Sequence, residues 1–353
     1  MKYPTISRNL EINNLSDGRF MVFNKYTKKT YVLGNNEYSV LINLDGMTGI
    51  EELTKKAKYS AERIDKLLQT FEGIGMLDSS TVNRKISIFK LTFCVLNPNK
   101  LFKSRLLVNI ISSILLYGTL PLLLFGIFLN IYFNNSLVNI FSDIISSAQT
   151  PSFLVTIPIL LIVTFLHETG HTVAAKRYGV NVPELGIMLY WFMPAAYVNL
   201  TGVTLLKKKW QKLVIYLSGI VMNFMILSFI LILRPFVYIK FQFLVSWFIA
   251  DTLLGVIFNL FIFLKLDGYL VLKEMLEIPD LREKAFRYIK VRIVEIVRTR
   301  LFNIQSDFKM QTYDDEYTLS EKRMLLCYGF ISMMYIPIML GSITLTIIFT
   351  LLV

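Results

Sequence analysis

Histidine is nearly absent from this chain of 353 residues: there are two, and both fall in one apolar stretch. Cysteine is equally scarce. Cys94 and Cys327 stand far apart with no metal or redox spacing, so they read as free thiols and exclude a disulfide framework. The opening residues, MKYPTISRNLEINN, lack the apolar core of a signal peptide, and the N-terminus is expected in the cytoplasm. No internal repeat is evident, which disfavours a repeat-built transporter. Charged residues make up 18%, and they are unevenly placed.

What is present is apolar. Hydrophobic residues reach 54% and the mean hydropathy is +0.54. Several apolar runs exceed the roughly 18 residues that mark a membrane span, so a multi-pass helical membrane protein is expected. The net charge of +12 then reads as basic cytoplasmic loops and gives no sign of a nucleic-acid partner.

The N-terminal stretch, 1–80, differs from the rest. RFMVFNKYTKKTYVLG alternates apolar and polar residues and predicts two short strands. NNEYSVLINLDGMTGIEELTKKAKY predicts a helix, a glycine turn and a second helix. In SAERIDKLLQTFEGIGML, Ser60 is the expected N-cap of a third. Ile64, Leu67, Leu68 and Phe71 follow at helical spacing, and Gly73 or Gly75 ends it. Strands followed by short helices predict a small α/β winged-helix-like domain over 1–80.

A basic linker is expected over 81–105, and a transmembrane domain over 106–353 with its core at about 150–275. Spans are expected at about 106–130, 152–175, 213–233, 243–272 and 324–352. A basic cytoplasmic stretch is expected at 273–322. The segment PELGIMLYWFMPAAYVNLTG, broken by Pro183, Gly186 and Pro194, suits a re-entrant loop buried against protein. Arg105, Lys176, Lys207, Lys208 and Lys209 would lie on the cytoplasmic side, and five spans would leave the C-terminus outside.

The histidines sit in TFLHETGHTVAAKRYGV, Thr164 to Val180. His167 and His171, four residues apart, share one helix face, as two imidazoles on one ion require. Glu168 projects beside them. H-E-x-x-H on a helix is a zinc-hydrolase signature, with the glutamate as general base. Burying that glutamate in a bilayer costs on the order of several kcal/mol unless it has a task. A third ligand is needed, and the scarcity of histidine and cysteine leaves a carboxylate: Asp143, Asp251 or Asp267. His171 lies roughly 7–8 Å above the Lys176 end of its helix at 1.5 Å per residue. Asp267 is expected at a comparable depth, whereas Asp143 falls in an outer loop and Asp251 near the outer end of its span. A second Leu-Asp-Gly, at Leu44 to Gly46, is expected to be a turn.

These segments together resemble the site-2 protease family of intramembrane zinc metalloproteases. That family joins an H-E-x-x-H helix to a later N-x-x-P-x-x-x-L-D-G segment. The later segment is matched here by Asn259, Leu266, Asp267 and Gly268, with Ile262 in place of the proline. LSGIVMNFMIL resembles the family's middle core helix, with Gly219 and Asn223 at its glycine and asparagine positions. The resemblance covers about 150–290 and implies a three-helix core with flanking spans. It also implies zinc held by His167, His171 and Asp267, with Glu168 as base and Gly219, Asn223 and Asn259 supporting substrate. VPELGIMLYWFMPAAYVNL and LDGYLVLKEMLEIPDLREKA look like the peptide zinc metalloprotease branch.

The N-terminal stretch is similar to PqqD-like domains, winged-helix modules that bind leader peptides by β-augmentation. The resemblances imply a bacterial cell-membrane enzyme with its N-terminus in the cytoplasm. It would cleave a small peptide precursor, such as a bacteriocin or other ribosomally made modified peptide. Its partners would be a leader-bearing peptide, the bilayer, and a peptide-modifying enzyme or exporter. The alternatives are regulated intramembrane proteolysis of a membrane-anchored regulator, or a peptide export or immunity protein.

Overall fold

The computed structural model describes residues 4–14, 18, 20–24, 26–27, 29–49, 52–54, 59–78, 90–133, 153–190, 193–278, 280–301 and 318–352. The expected outer loop with Asp143 lies outside them, as do parts of the expected linker and cytoplasmic stretch.

The N-terminal region holds a three-stranded antiparallel sheet, β1 (Leu10–Asn14), β2 (Phe20–Asn24) and β3 (Lys29–Leu33), in that spatial order. Strands β2 and β3 are the two expected from the alternation. Strand β1 is an addition, because Leu10 and Ile12 alone make too short a pattern to register. Helices α1 (Asn35–Ile42) and α2 (Ala61–Gly73) bury Val40, Leu41, Ile64, Leu68 and Phe71 against Val22 and Leu33. Ser60 caps α2 by accepting a hydrogen bond from Arg63 N–H at 3.4 Å. The helix runs through Gly73, and Gly75 at φ +80° turns the chain away.

Leu44 to Gly46 is the expected turn. The Asp45 carboxylate accepts from Met47 and Thr48 N–H, bonds that hold its pKa below the ordinary range, and Gly46 takes φ +80°.

Four described helical stretches are long and apolar enough to cross a membrane. The first, Arg105–Tyr132, joins α3 (Arg105–Ser113) to α4 (Thr119–Tyr132) through a π-helical turn, with Pro121 inside. The others are carried by α5 (Phe153–Arg177), α6 (Lys209–Leu233) and α7 (Gln242–Leu260). Helix α9 (Leu319–Leu352) covers the fifth expected span, but most side chains of its second half lie outside the described residues.

Helix α6 is central and is packed by α4, α5 and α7. Lipid supplies no hydrophobic drive between helices, so small residues at the crossings do the work of close packing. A Cβ on Gly170 of α5 would stand 2.7 Å from the Ser218 carbonyl oxygen of α6. One on Gly126 of α4 would stand 3.1 Å from that of Ser228. Asn130 fastens the far end of the same pair by donating to the Leu231 carbonyl at 2.7 Å and accepting from Arg234 at 3.2 Å.

Two expectations are corrected here. The fourth span is not continuous over 243–272. Helix α7 ends at Leu260, residues 261–266 turn, and α8 (Asp267–Leu276) starts afresh. Gly268 makes the break possible: its Cβ position lies 2.6 Å from the Leu260 carbonyl oxygen and 2.9 Å from that of Asn259, where only hydrogen fits.

The apolar segment after α5 is likewise not an irregular loop. Strands β5 (Leu185–Tyr190) and β6 (Met193–Val198) pair antiparallel, and β4 (Lys90–Leu96), from within the expected linker, pairs with β5. Backbone polar groups at membrane depth need partners, and a small sheet provides them. Gly186 admits β4 closely: a Cβ there would meet the Phe93 carbonyl oxygen at 2.1 Å. Asn99 holds this unit to α5, accepting from Lys176 Nζ at 3.0 Å and Val182 N–H at 3.1 Å.

Candidate metal centre

The H-E-x-x-H stretch lies in the last three turns of α5, and both imidazoles face inward. His167 and His171 are 6% and 2% exposed. Their rings stand edge to face with centroids 4.9 Å apart. The two Nε2 atoms are 3.2 Å apart, and Asp267 Oδ2 lies 3.0 Å from one and 3.1 Å from the other. Two imidazole nitrogens and a carboxylate oxygen, all buried, therefore converge on one point, and they are the one such cluster among the described residues. Asp267 reaches them because α8 begins with it: the break after α7 returns the chain to the depth of the histidines.

The surroundings fix each donor. His171 Nδ1–H donates to the Ile215 carbonyl at 2.7 Å, which leaves Nε2 with its lone pair towards the cluster. Ser218 Oγ shares that carbonyl at 2.6 Å. His167 Nδ1 is buried without a partner. Gly219 of α6 lies directly against the pair. A Cβ there would stand 2.3 Å from His171 Nε2 and 2.5 Å from His167 Nε2. Gly219 is thus required by space rather than by backbone conformation, since it lies within regular helix.

Glu168, the residue between the imidazoles in sequence, makes no bond to Asp267 or to either histidine. Strand β6 packs along α5, the helix that carries Glu168. The small sheet therefore lies against the helix of the centre, which nothing in the motif itself signals.

Asn223 lies one turn beyond Gly219 on α6. It is buried, with Oδ1 unpartnered, and its Nδ2 lies 3.0 Å from the Cβ position of Gly255 on α7. Asn259 is in the last turn of α7 and donates to its own helix at Gly255, 2.9 Å away. The expected support residues thus separate. Gly219 touches the histidines, Asn223 lines the α6–α7 crossing beside them, and Asn259 serves the end of α7.

Helix α8 is braced against α6 by Lys212–Glu274 at 2.7 Å, half-sheltered from solvent, and by the exposed Lys209–Glu277 pair at 2.7 Å. The first pair fixes the direction from which Asp267 approaches. Glu274→Lys should weaken zinc binding by roughly tenfold, at the low end for residues that orient a ligand. The exchanged pair, Lys212→Glu with Glu274→Lys, should regain most of it. Zinc titration against a competing chelator would decide; unchanged affinity in the single variant would remove the bracing role.

The donor set fits zinc: two neutral imidazole nitrogens and one carboxylate oxygen are a known catalytic combination that leaves a coordination position open. The space kept clear by Gly219 is consistent with an ion among them.

Residues 155–241 match Peptidase family M50. The matched stretch includes His167, Glu168, His171, Gly219 and Asn223 and ends before Asp267. The chain is also similar to a Bacillus subtilis (strain 168) protein named "Putative peptide zinc metalloprotease protein YydH", at 24% identity over 133 residues. That alignment covers 37% of this chain and 52% of the relative, so the chain spans about half the length of the curated relative it matches. No solved structure matches.

Proposed function

We propose that this chain is an intramembrane zinc metalloendopeptidase that processes a small peptide precursor or membrane-associated peptide. The observation that carries the reading is the convergence of His167, His171 and Asp267 within 3.0–3.2 Å of one another, with Glu168 next in sequence. The Peptidase family M50 match over the helix of His167, Glu168 and His171 and over α6 supports it.

Zinc bound by His167, His171 and Asp267 supplies Lewis acidity, polarising a peptide carbonyl and acidifying water. The remaining work falls to the chain. Glu168 takes the proton of the attacking water and passes it to the departing amine. His171 keeps one tautomer through Ile215. The Asn223 amide, buried one turn from Gly219, is placed to hydrogen-bond substrate backbone. A peptide must be extended to be cut, and the sheet that ends in Val198 borders the centre.

The peptide cleaved is proposed to be a bacteriocin or other ribosomally made, modified peptide, carried in by its leader. Support comes from the sheet and helices of the N-terminal region, whose outer strands β1 and β3 offer edges for a leader strand. A peptide-modifying enzyme or exporter would act beside it. The cell membrane is the proposed location, with the N-terminal domain and the Lys176, Arg177 and Lys207 to Lys209 ends on the cytoplasmic face.

The test is metal content and cleavage together. Purified protein in detergent should hold about one zinc per chain. Asp267→Asn should lower zinc affinity by at least tenfold to a hundredfold and lose cleavage of a co-expressed precursor peptide. Normal zinc content in Asp267→Asn would remove it as a ligand. Full cleavage after complete zinc removal would end the protease reading as stated.

A further inference from the structure

Asp251 is the one acidic residue of the span Ile239–Leu260, and the centre does not use it. Its Oδ2 is buried and accepts no hydrogen bond. No ionised neighbour among the described residues acts on its carboxyl. Lys240 is in the turn before α7, and Arg234 is turned to Asn130. A carboxylate in a bilayer segment is costly and pairs with something when it is kept. Here the described residues offer no pair.

Its place on α7 is specific. Ser246, Ile249, Thr252 and Val256 are buried, while Leu254, Ile257 and Phe258 are exposed. Asp251 is half-buried, between those two sides, where a segment arriving from the bilayer would pass. It shares a helix face with Gly255 and Asn259 at i, i+4 and i+8. Gly255 abuts Asn223, and Asn223 is one turn from Gly219, which touches both imidazoles. From the metal centre to Asp251 is thus one turn along α6 and one along α7, a rise of about 11 Å, with a helix-to-helix step of about 8–10 Å across it. The two together are about 14 Å, which an extended peptide covers in four to five residues at about 3.3 Å each.

We infer that Asp251 is a specificity determinant, pairing with a lysine or arginine that the peptide carries four or five residues from the cleaved bond. This rests on the protease reading for its cleavage arm, but not for its binding arm. A lone anion in low dielectric selects a cation strongly and rejects its neutral counterpart, because either partner left alone pays its full desolvation. The proposal needs no further group.

The probes are two synthetic apolar peptides of roughly 20 residues, the length of one membrane span. They are fluorescently labelled and identical except for one central Lys or Gln. Binding is measured by anisotropy to full-length protein in detergent, carrying Glu168→Gln so that no cleavage interferes. The Lys peptide should bind at least tenfold tighter than the Gln peptide. Adding Asp251→Asn should abolish that preference and leave the Gln peptide unaffected, and Asp251→Lys should favour a Glu peptide instead. Equal preference with and without Asp251→Asn overturns the inference, and so does a preference that Asp251→Lys fails to reverse. Separately, mass spectrometry of products from the unmutated protein should place the cut four or five residues from the lysine. A cut elsewhere overturns the spacing. No cut at all counts against the protease reading while the binding result still decides the role of Asp251.

Discussion

Glu168→Gln is expected to lower peptide cleavage by roughly 10²–10⁴-fold, the usual contribution of a positioned general base, while zinc stays bound at the level of the unmutated protein. The separation follows from geometry. The ligand atoms are His167 Nε2, His171 Nε2 and Asp267 Oδ2, and none of their contacts involves the Glu168 side chain. Glutamine keeps the size and shape of the side chain, so the fold around it should hold. It cannot take a proton. Zinc content by mass spectrometry and cleavage of a co-expressed precursor should therefore diverge in this variant. Retained processing would dismiss Glu168 as base. Loss of zinc along with activity would make it part of the ligand cage.

Gly219→Ala should cost the metal itself. One methyl group would have to occupy a point 2.3 Å from His171 Nε2, 2.5 Å from His167 Nε2 and 2.6 Å from His167 Cε1. The neighbours cannot easily give. His171 is pinned at Nδ1 by Ile215, and α5 and α6 already touch backbone to glycine at Ser218 and Gly170. Overpacking of this kind typically costs about 1–3 kcal/mol. If that falls on the ligand geometry, zinc affinity drops by roughly 5- to 150-fold. Gly118→Ala is the control, since its Cβ position meets only Ile114 at an ordinary 3.6 Å. Comparable zinc affinity in both variants would show that the helices move apart more readily than this packing implies.

The same contacts show why the metal cluster was largely readable from the sequence while its frame was not. His167 and His171 are placed by helical periodicity alone, a local property of the chain. Asp267 follows from scarcity: with two histidines and two remote cysteines, a carboxylate at matching depth had to serve. That Asp267 opens a new helix was not legible. No proline or glycine lies between Val256 and Leu266, and the break is held instead by Gly268 against the carbonyls of Asn259 and Leu260. The sheet was missed for a similar reason. KLTFCVL lies in a basic linker, and its partner LGIMLY comes far later in the chain, beyond two membrane spans. Strand pairing at that separation leaves no periodic mark on either partner.

By itself, then, the sequence pointed to the membrane class, to the histidine pair with its neighbouring glutamate, and to the aspartate that converges on the pair. Each depends on composition or on spacing within one helix. Only the tertiary structure decided what holds them: Ile215 on His171 and a glycine kept bare beside both imidazoles. One of these partners acts through the backbone and the other through the absence of a side chain. Neither depends on a distinctive side chain, so they became visible only when the helices were packed.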